Sequence, residues 1–403
     1  MLRFFSLVLL TMYIYSEFFP IPINNARILF LVLWILSATF VDKWKVFVIL
    51  SRKKYNYFYS FLLAYFVLSM IGSSLTYSFA QSLYIVRVCV PVFVYDILKK
   101  ENIKTRNLIV VILIIFIIIN TYTINKWIDI YEFTHGLKEN IIRTSSDEYV
   151  DTLFAFIYLL PVLVCALVLF IKYSIKEKKG MLQIGILLAI VIYLQSFILK
   201  SLFMTAIVIS LFGIIGAIFY KKGENMIRWF LKSMGVVIVL VGLFLTSFDL
   251  ILTYTNANTD DTFVQRVEEL KQVATGNIAQ TKDVSSRTDL LMVSINSFIN
   301  HPLFGVHYQK VGKVDETIVG NHSQWIDDLA RYGLWAILLF VFLYKSLKEQ
   351  YFKTKMILPI AIYITIGFFN PITYPIVHIN VFVLVPLLLS NISSSKEIPI
   401  AAK

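Results

Sequence analysis

Apolar residues along this chain fall into long blocks that do not alternate with polar positions. Most blocks run for roughly 15–20 residues, close to the length a helix needs to cross a bilayer's hydrocarbon core. Twelve stand out by hydropathy: residues 2–19, 26–41, 57–75, 80–98, 107–123, 152–171, 181–199, 201–219, 229–247, 333–346, 356–370 and 375–391. A transmembrane barrel would show short alternating segments instead. The pattern therefore predicts an all-α polytopic membrane protein with about twelve transmembrane helices. The block "KVFVIL" (45–50) is too short to cross and is expected at the interface. The first block follows Met-Leu-Arg as a signal peptide would, but it lacks a small-residue cleavage site, so it is read as a retained span.

Two polar stretches between blocks are long. Residues 125–151 are net acidic and carry no recognisable motif. Residues 248–332 form a stretch of 85 residues, a length that is usually functional or disordered. The expected organisation is thus spans one to nine in 1–247, a large extracytoplasmic loop with short helices in 248–332, and three final spans in 333–403.

Helical patterning inside that loop argues for order. "TFVQRVEELKQVA" (262–274) places Phe263, Val267, Leu270 and Val273 on one face, with Gln265, Glu268 and Gln272 opposite. It suits an amphipathic helix lying on the outer leaflet, with Arg266 inside the apolar sector and reaching for headgroups. In "SSRTDLLMVSINSFINHPLFG" (285–305), Ser286 and Asp289 have capping-box spacing, which puts Arg287 at the first helical position. Pro302 then ends the helix and Gly305 turns the chain. In "VGNHSQWIDDLARYGLW" (319–335), Asn321 is the expected N-cap, Gln324 stands three residues on, and His322 opens the helix. Lys200 lies between the seventh and eighth spans, beside the start of the eighth. Helix starts offer unpaired N–H groups and partial positive charge, an arrangement suited to an anion such as phosphate.

Composition agrees with the membrane reading. The chain is 58% hydrophobic and only 15% charged, where a soluble protein carries about 25% charged residues. With both termini cytoplasmic, twenty Lys and Arg residues fall on inner loops, from Lys43 and Lys45 to Lys353 and Lys355. The outer side before the long loop has Lys126, Lys138, Arg143 and Lys200, with Arg27 at a span edge. Positive charge inside fixes that orientation and accounts for most of the formal +12. No nucleic-acid motif accompanies the basicity. Cys89 and Cys165 sit in different spans without ligand spacing, so both are expected to be buried apolar residues.

Arg87 is buried by "SLYIVRVCVPVFVYDI", about a third of the way into the fourth span. An unpaired charge there costs about 3 kcal/mol or more. Its partner could be a carbonyl, a water-filled cleft or an anionic substrate.

The two loop motifs resemble those of the O-antigen ligase and polymerase superfamily of bacterial envelope polysaccharide assembly. The shared order is an arginine, a short helix, "PLFG", and then a histidine opening a helix that runs into "GL" and a span. A basic residue between two central spans is a third element, here Lys200 in "FILKSLF". The chain departs from the family at Ser323, commonly Asn, at Lys200, usually Arg, and at His307, often Gly. The resemblance implies an enzyme of the bacterial inner membrane that uses glycans carried on polyprenyl diphosphate (undecaprenyl diphosphate in such systems). An acceptor hydroxyl attacks the anomeric carbon and the lipid diphosphate leaves. His322 and Arg287 would be catalytic, with Lys200, Arg87 and Arg266 binding substrate. His322 could serve as general base or as a donor to phosphate. Neither metal nor cofactor is expected. Asp327-Asp328 lies mid-helix and is not a metal-binding pair. Expected partners are the lipid-linked glycan, membrane lipid and other polysaccharide assembly proteins, with no nucleic acid. Lys200 and Ser323 favour an O-antigen or capsule polymerase over a ligase that loads lipopolysaccharide core. A flippase is disfavoured, because no Asp or Glu stands mid-span.

Overall fold

The computed structural model describes residues 2–19, 26–41, 45–72, 75–135, 148–178, 180–201, 203–221, 282–306, 319–352 and 357–393, with scattered positions between 231 and 272. It is all-helical, with 89% helix and no strand among the described residues. The elements are α1 (Leu2–Phe18), α2 (Ala26–Val41), α3 (Lys45–Leu50), α4 (Lys53–Gly72), α5 (Leu75–Leu98), α6 (Ile103–His135), α7 (Glu148–Lys176), α8 (Met181–Lys200) and α9 (Met204–Phe219). After them come α10 (Lys282–Asn300), α11 (Gln324–Tyr332), α12 (Ala336–Leu347), α13 (Leu358–Phe369), α14 (Pro375–Ile379) and α15 (Val385–Ser393).

Among the described residues, four helical segments are long and apolar enough to cross a membrane: Ser78–Leu98, Ile103–Lys126, Ala155–Lys176 and Met181–Lys200. Shorter apolar helices occupy Ala26–Val41, Thr205–Phe219, Leu358–Phe369 and Pro375–Ser390. Each coincides with a predicted block. Helices reach into the predicted polar stretch 125–151 from both sides. α6 continues to His135 and α7 starts at Glu148, because nothing before Gly136 breaks a helix. The block 229–247 lies largely outside the described residues, as do residues 273–281.

The chain divides into two compact units. The first comprises residues 1–159, 335–360 and 372–403. Aromatic side chains fill much of it: Phe58 stacks on Phe342 at 5.1 Å, and Trp34 meets Phe93 edge-on at 5.8 Å. Two π-helical turns, Lys348–Phe352 and Asn380–Leu384, are joined by the Tyr351 hydroxyl, which donates to the Val381 carbonyl. A π turn misaligns backbone carbonyls, and the phenol satisfies one of them.

The second unit comprises residues 160–334 and 361–371. Gly213 of α9 sits where a Cβ would lie 2.8 Å from Ile362 and 3.2 Å from Cys165, so α9 approaches its neighbours at small-residue distance. The Lys172 ammonium of α7 donates to the Ile218 and Tyr220 carbonyls at 2.5 and 2.6 Å, capping the C-terminal end of α9. Both cysteines are buried and unbridged.

Candidate functional site

The two motifs fold onto each other inside the second unit. α10 and α11 lie side by side and run parallel, held at both ends by backbone. At one end, the "PLFG" turn docks on the C-terminus of α11. The Val306 N–H donates to the Ala330 carbonyl at 2.9 Å, and the Leu334 N–H donates to the Pro302 carbonyl at 2.8 Å. Gly305 is at φ +69°, with its Cα directed at the Arg331 carbonyl 2.2 Å from where a Cβ would be. Only glycine satisfies both demands.

At the other end, residues 319–323 cross α10 between Leu290 and Ser294. The Gly320 N–H donates to Ser294 Oγ at 2.8 Å, and a Cβ on Gly320 would lie 2.0 Å from the Leu290 carbonyl oxygen. Ser294 Oγ in turn donates to Asp327 Oδ1 at 2.5 Å, while the Ser323 N–H donates to Asp327 Oδ2 at 3.0 Å. The buried Asp327 carboxylate thus ties α10, the loop and α11 together. Charge-assisted bonds of this kind are roughly twice as strong as neutral ones.

This geometry corrects three sequence expectations. The N-cap of α11 is Ser323, extended at φ −136°, and the helix begins at Gln324. Asn321 instead takes the left-handed conformation, φ +55°, and its side chain accepts from Arg331. Asparagine tolerates that region better than most residues. His322 therefore stands just outside α11 and is half-buried. Arg287 is likewise not a first helical residue, since α10 starts at Lys282; it lies one turn before Leu290 and is half-buried. Lys200 is the last residue of α8, with Ser201 as C-cap and α9 starting at Met204. A lysine at a C-terminal end faces the negative pole of its own helix, which stabilises it without a ligand. No expected cation opens a helix. Arg287 nevertheless lies one turn before Leu290, and His322 lies two residues after Gly320, which packs on Leu290, so both belong to one end of the α10–α11 pair.

The other side of α11 is anchored by Trp325. Its indole N–H donates to the Ile364 carbonyl of α13 at 2.9 Å, and its ring meets Tyr363 edge-on at 5.8 Å.

Asp328 is buried beside Arg331, whose guanidinium is 3.7 Å away, and accepts from the Gln324 amide at 2.9 Å. Burial pushes its carboxyl up to about 7; neighbouring Asp327 adds to this, and Arg331 and Gln324 oppose it. The folded state therefore holds a proton that the unfolded chain releases between about pH 4 and pH 7. Stability is greatest below that window and falls as pH rises through it, by about 4 kcal/mol in all. Thermal melts at pH 5 and pH 8 should show this fall, and Asp328→Asn should flatten it. A wild type that melts higher at pH 8 than at pH 5 would contradict the burial argument.

In the first unit, Arg87 of α5 finds a counter-charge that the sequence left open. Its Nε lies 2.9 Å from Glu17 Oε1 of α1, and its guanidinium rests 5.8 Å from the Tyr84 ring centroid. Glu17 is buried, and it gives the half-buried arginine a counter-charge without a substrate. Arg266 and His307 lie outside the described residues.

Sequence reasoning missed Asp327, Ser294 and Gly320. The spacing of Ser323 and Asp327, four residues apart at a helix start, was the one local signal available. Comparison with known proteins finds no matching family model and no matching curated protein.

Proposed function

We propose that the protein is a polymerase of lipid-diphosphate-linked oligosaccharide repeat units, of the O-antigen or capsule kind. On this reading the chain has twelve spans, both termini in the cytoplasm, and residues 248–332 at the outer face of the bacterial inner membrane. What supports it is one arrangement: Arg287 on α10 and His322 on the loop before α11 are held at a common end by backbone contacts and the Asp327 carboxylate. The reaction needs cationic stabilisation of a departing diphosphate and removal of a proton from the acceptor hydroxyl. Arg287 meets the first need, with a fork that matches phosphate oxygens. Lys200, at the end of α8, is the second cation. His322 takes the hydroxyl proton as oxygen attacks the anomeric carbon, and the lipid diphosphate leaves with the bonding electrons. Arg87, already paired with Glu17, has no part in this scheme.

The test is incubation of the purified protein with a polyprenyl-diphosphate-linked repeat unit, scored by product length with and without chelator. Chelator-resistant chain growth is expected. His322→Ala and Arg287→Ala should each abolish long product at wild-type protein levels. Long product from either variant would refute its assigned role. Transfer only onto a lipid core would make the protein a ligase.

A further inference from the structure

One end of the first unit gathers charge from three helices. Arg52, Lys53 and Lys54 open α4, Lys99 and Lys100 follow α5, and Lys345 and Lys348 end α12. Three successive cations at a helix N-terminus oppose its dipole and repel one another. Two carboxylates relieve part of this. Lys54, 3% exposed, lies 2.7 Å from Asp96 Oδ2 and 2.9 Å from Glu349 Oε2. Lys99 also pairs with Asp96, Arg52 approaches it at 3.5 Å, and the Tyr55 hydroxyl donates to it at 3.1 Å. The inner layer is neutralised. The outer layer is not: among the described residues, Lys53, Lys100 and Lys348 are exposed, and Glu101, beside Lys100, is paired with Arg3.

The surroundings identify the depth. Tyr59 stacks on Tyr55 and donates to the Leu50 carbonyl at 3.0 Å, and the Lys345 ammonium lies 4.1 Å from the Tyr57 ring centroid. Tyrosines beside lysines at the ends of apolar helices mark the headgroup level of a bilayer. The six-residue α3 leads directly into Arg52. It buries Val46 and Ile49 but leaves Phe47 and Val48, 51% and 63% exposed, facing outward. An apolar ledge beside excess positive charge is the two-part chemistry of an anionic lipid: acyl chain below, phosphate above.

We infer that this end of the first unit is a binding site for an anionic phospholipid, its headgroup phosphate held by Arg52, Lys53, Lys100 and Lys348 and its acyl chain lying on Phe47 and Val48. The buried Lys54–Asp96 pair, joined by the exposed Glu349, acts as the base that keeps the outer cations in place.

The full chain in detergent is offered dioleoylphosphatidylglycerol, dioleoylphosphatidylcholine or inorganic phosphate. Bound lipid is counted by native mass spectrometry, and the melting temperature is read in parallel. Phosphatidylglycerol should be retained at about fivefold higher occupancy than phosphatidylcholine and should raise the melting temperature. The variant K53Q/K100Q/K348Q, changed only at exposed positions, should lose that preference, and F47S/V48S should lower retention of both lipids. Equal retention of the two lipids, or an undiminished preference in the triple lysine variant, overturns the site. An equal melting shift from inorganic phosphate alone would assign it to a soluble anion instead and overturn the lipid.

Discussion

If the protein is the polymerase proposed above, replacing Gly320 with alanine is expected to cut polymer synthesis about 100-fold or more while leaving the protein folded. The added Cβ would lie 2.0 Å from the Leu290 carbonyl oxygen and 2.6 Å from its carbon. Non-bonded heavy atoms settle about 3.5 Å apart, so the overlap exceeds 1 Å. Both clashing atoms are backbone in the middle of α10 and cannot swing away as a side chain would. The loop must lift instead, and the Gly320 N–H loses Ser294 as it does. His322, two residues on, moves with the loop and away from the helix that carries Arg287. A misplacement of about 1 Å at reacting groups costs on the order of 100-fold in rate. Product length in Gly320→Ala, at matched protein levels and with an unchanged elution volume, decides the matter. Wild-type chains would show that the crossing over α10 does not position His322. Ser294→Ala should be milder, because it leaves one donor and one acceptor short of a partner at about 1–3 kcal/mol each.

The largest loss of stability is expected from Asp96→Ala in the first unit. Asp96 is fully buried and faces Lys54, Lys99 and Arg52. Removing one partner of a buried ion pair leaves an uncompensated charge and costs about 3–5 kcal/mol. Lys54 cannot reach solvent, and Glu349 alone is left to it. Asp96→Ala should therefore melt well below wild type in detergent, and adding Lys54→Met should restore much of the loss by removing the stranded ammonium. A single variant that melts with wild type would show the network to be dispensable. If Lys54→Met deepened the loss, the charge argument would be wrong and the lysine's methylenes would matter more.

The apolar blocks were legible because a helix that is apolar on every side needs no periodicity, only length. α8 follows from "LQIGILLAIVIYLQSFIL" almost residue for residue, whereas α7 extends beyond the block 152–171 at both ends, from Glu148 to Lys176. Helix ends were less legible. Asn321 and Ser323 are both good N-caps, and the choice went to Ser323 because Arg331, ten residues away in the chain, holds Asn321 in the left-handed conformation. Arg287 was placed at a helix start by Ser286 and Asp289, yet α10 begins earlier, at Lys282. Nothing between Lys282 and Ser286 breaks a helix, so a capping pattern there stayed inside one. Long-range partners were out of reach altogether. Glu17 and Arg87 are seventy residues apart, and Asp96 draws its cations from α4, from the residue before α4 and from the turn after α5. Such pairs are made by how helices cross, which local pattern does not record.

Val306 and Val319, buried together with Ala330, close a ring in the chain. Whatever lies between them leaves from and returns to one spot, clamped on one side by the "PLFG" turn and on the other by Gly320. The chain just after the "PLFG" turn and the chain just before Gly320 are thus pinned to one cluster on α11, so a cut between them would leave the two motifs attached to each other.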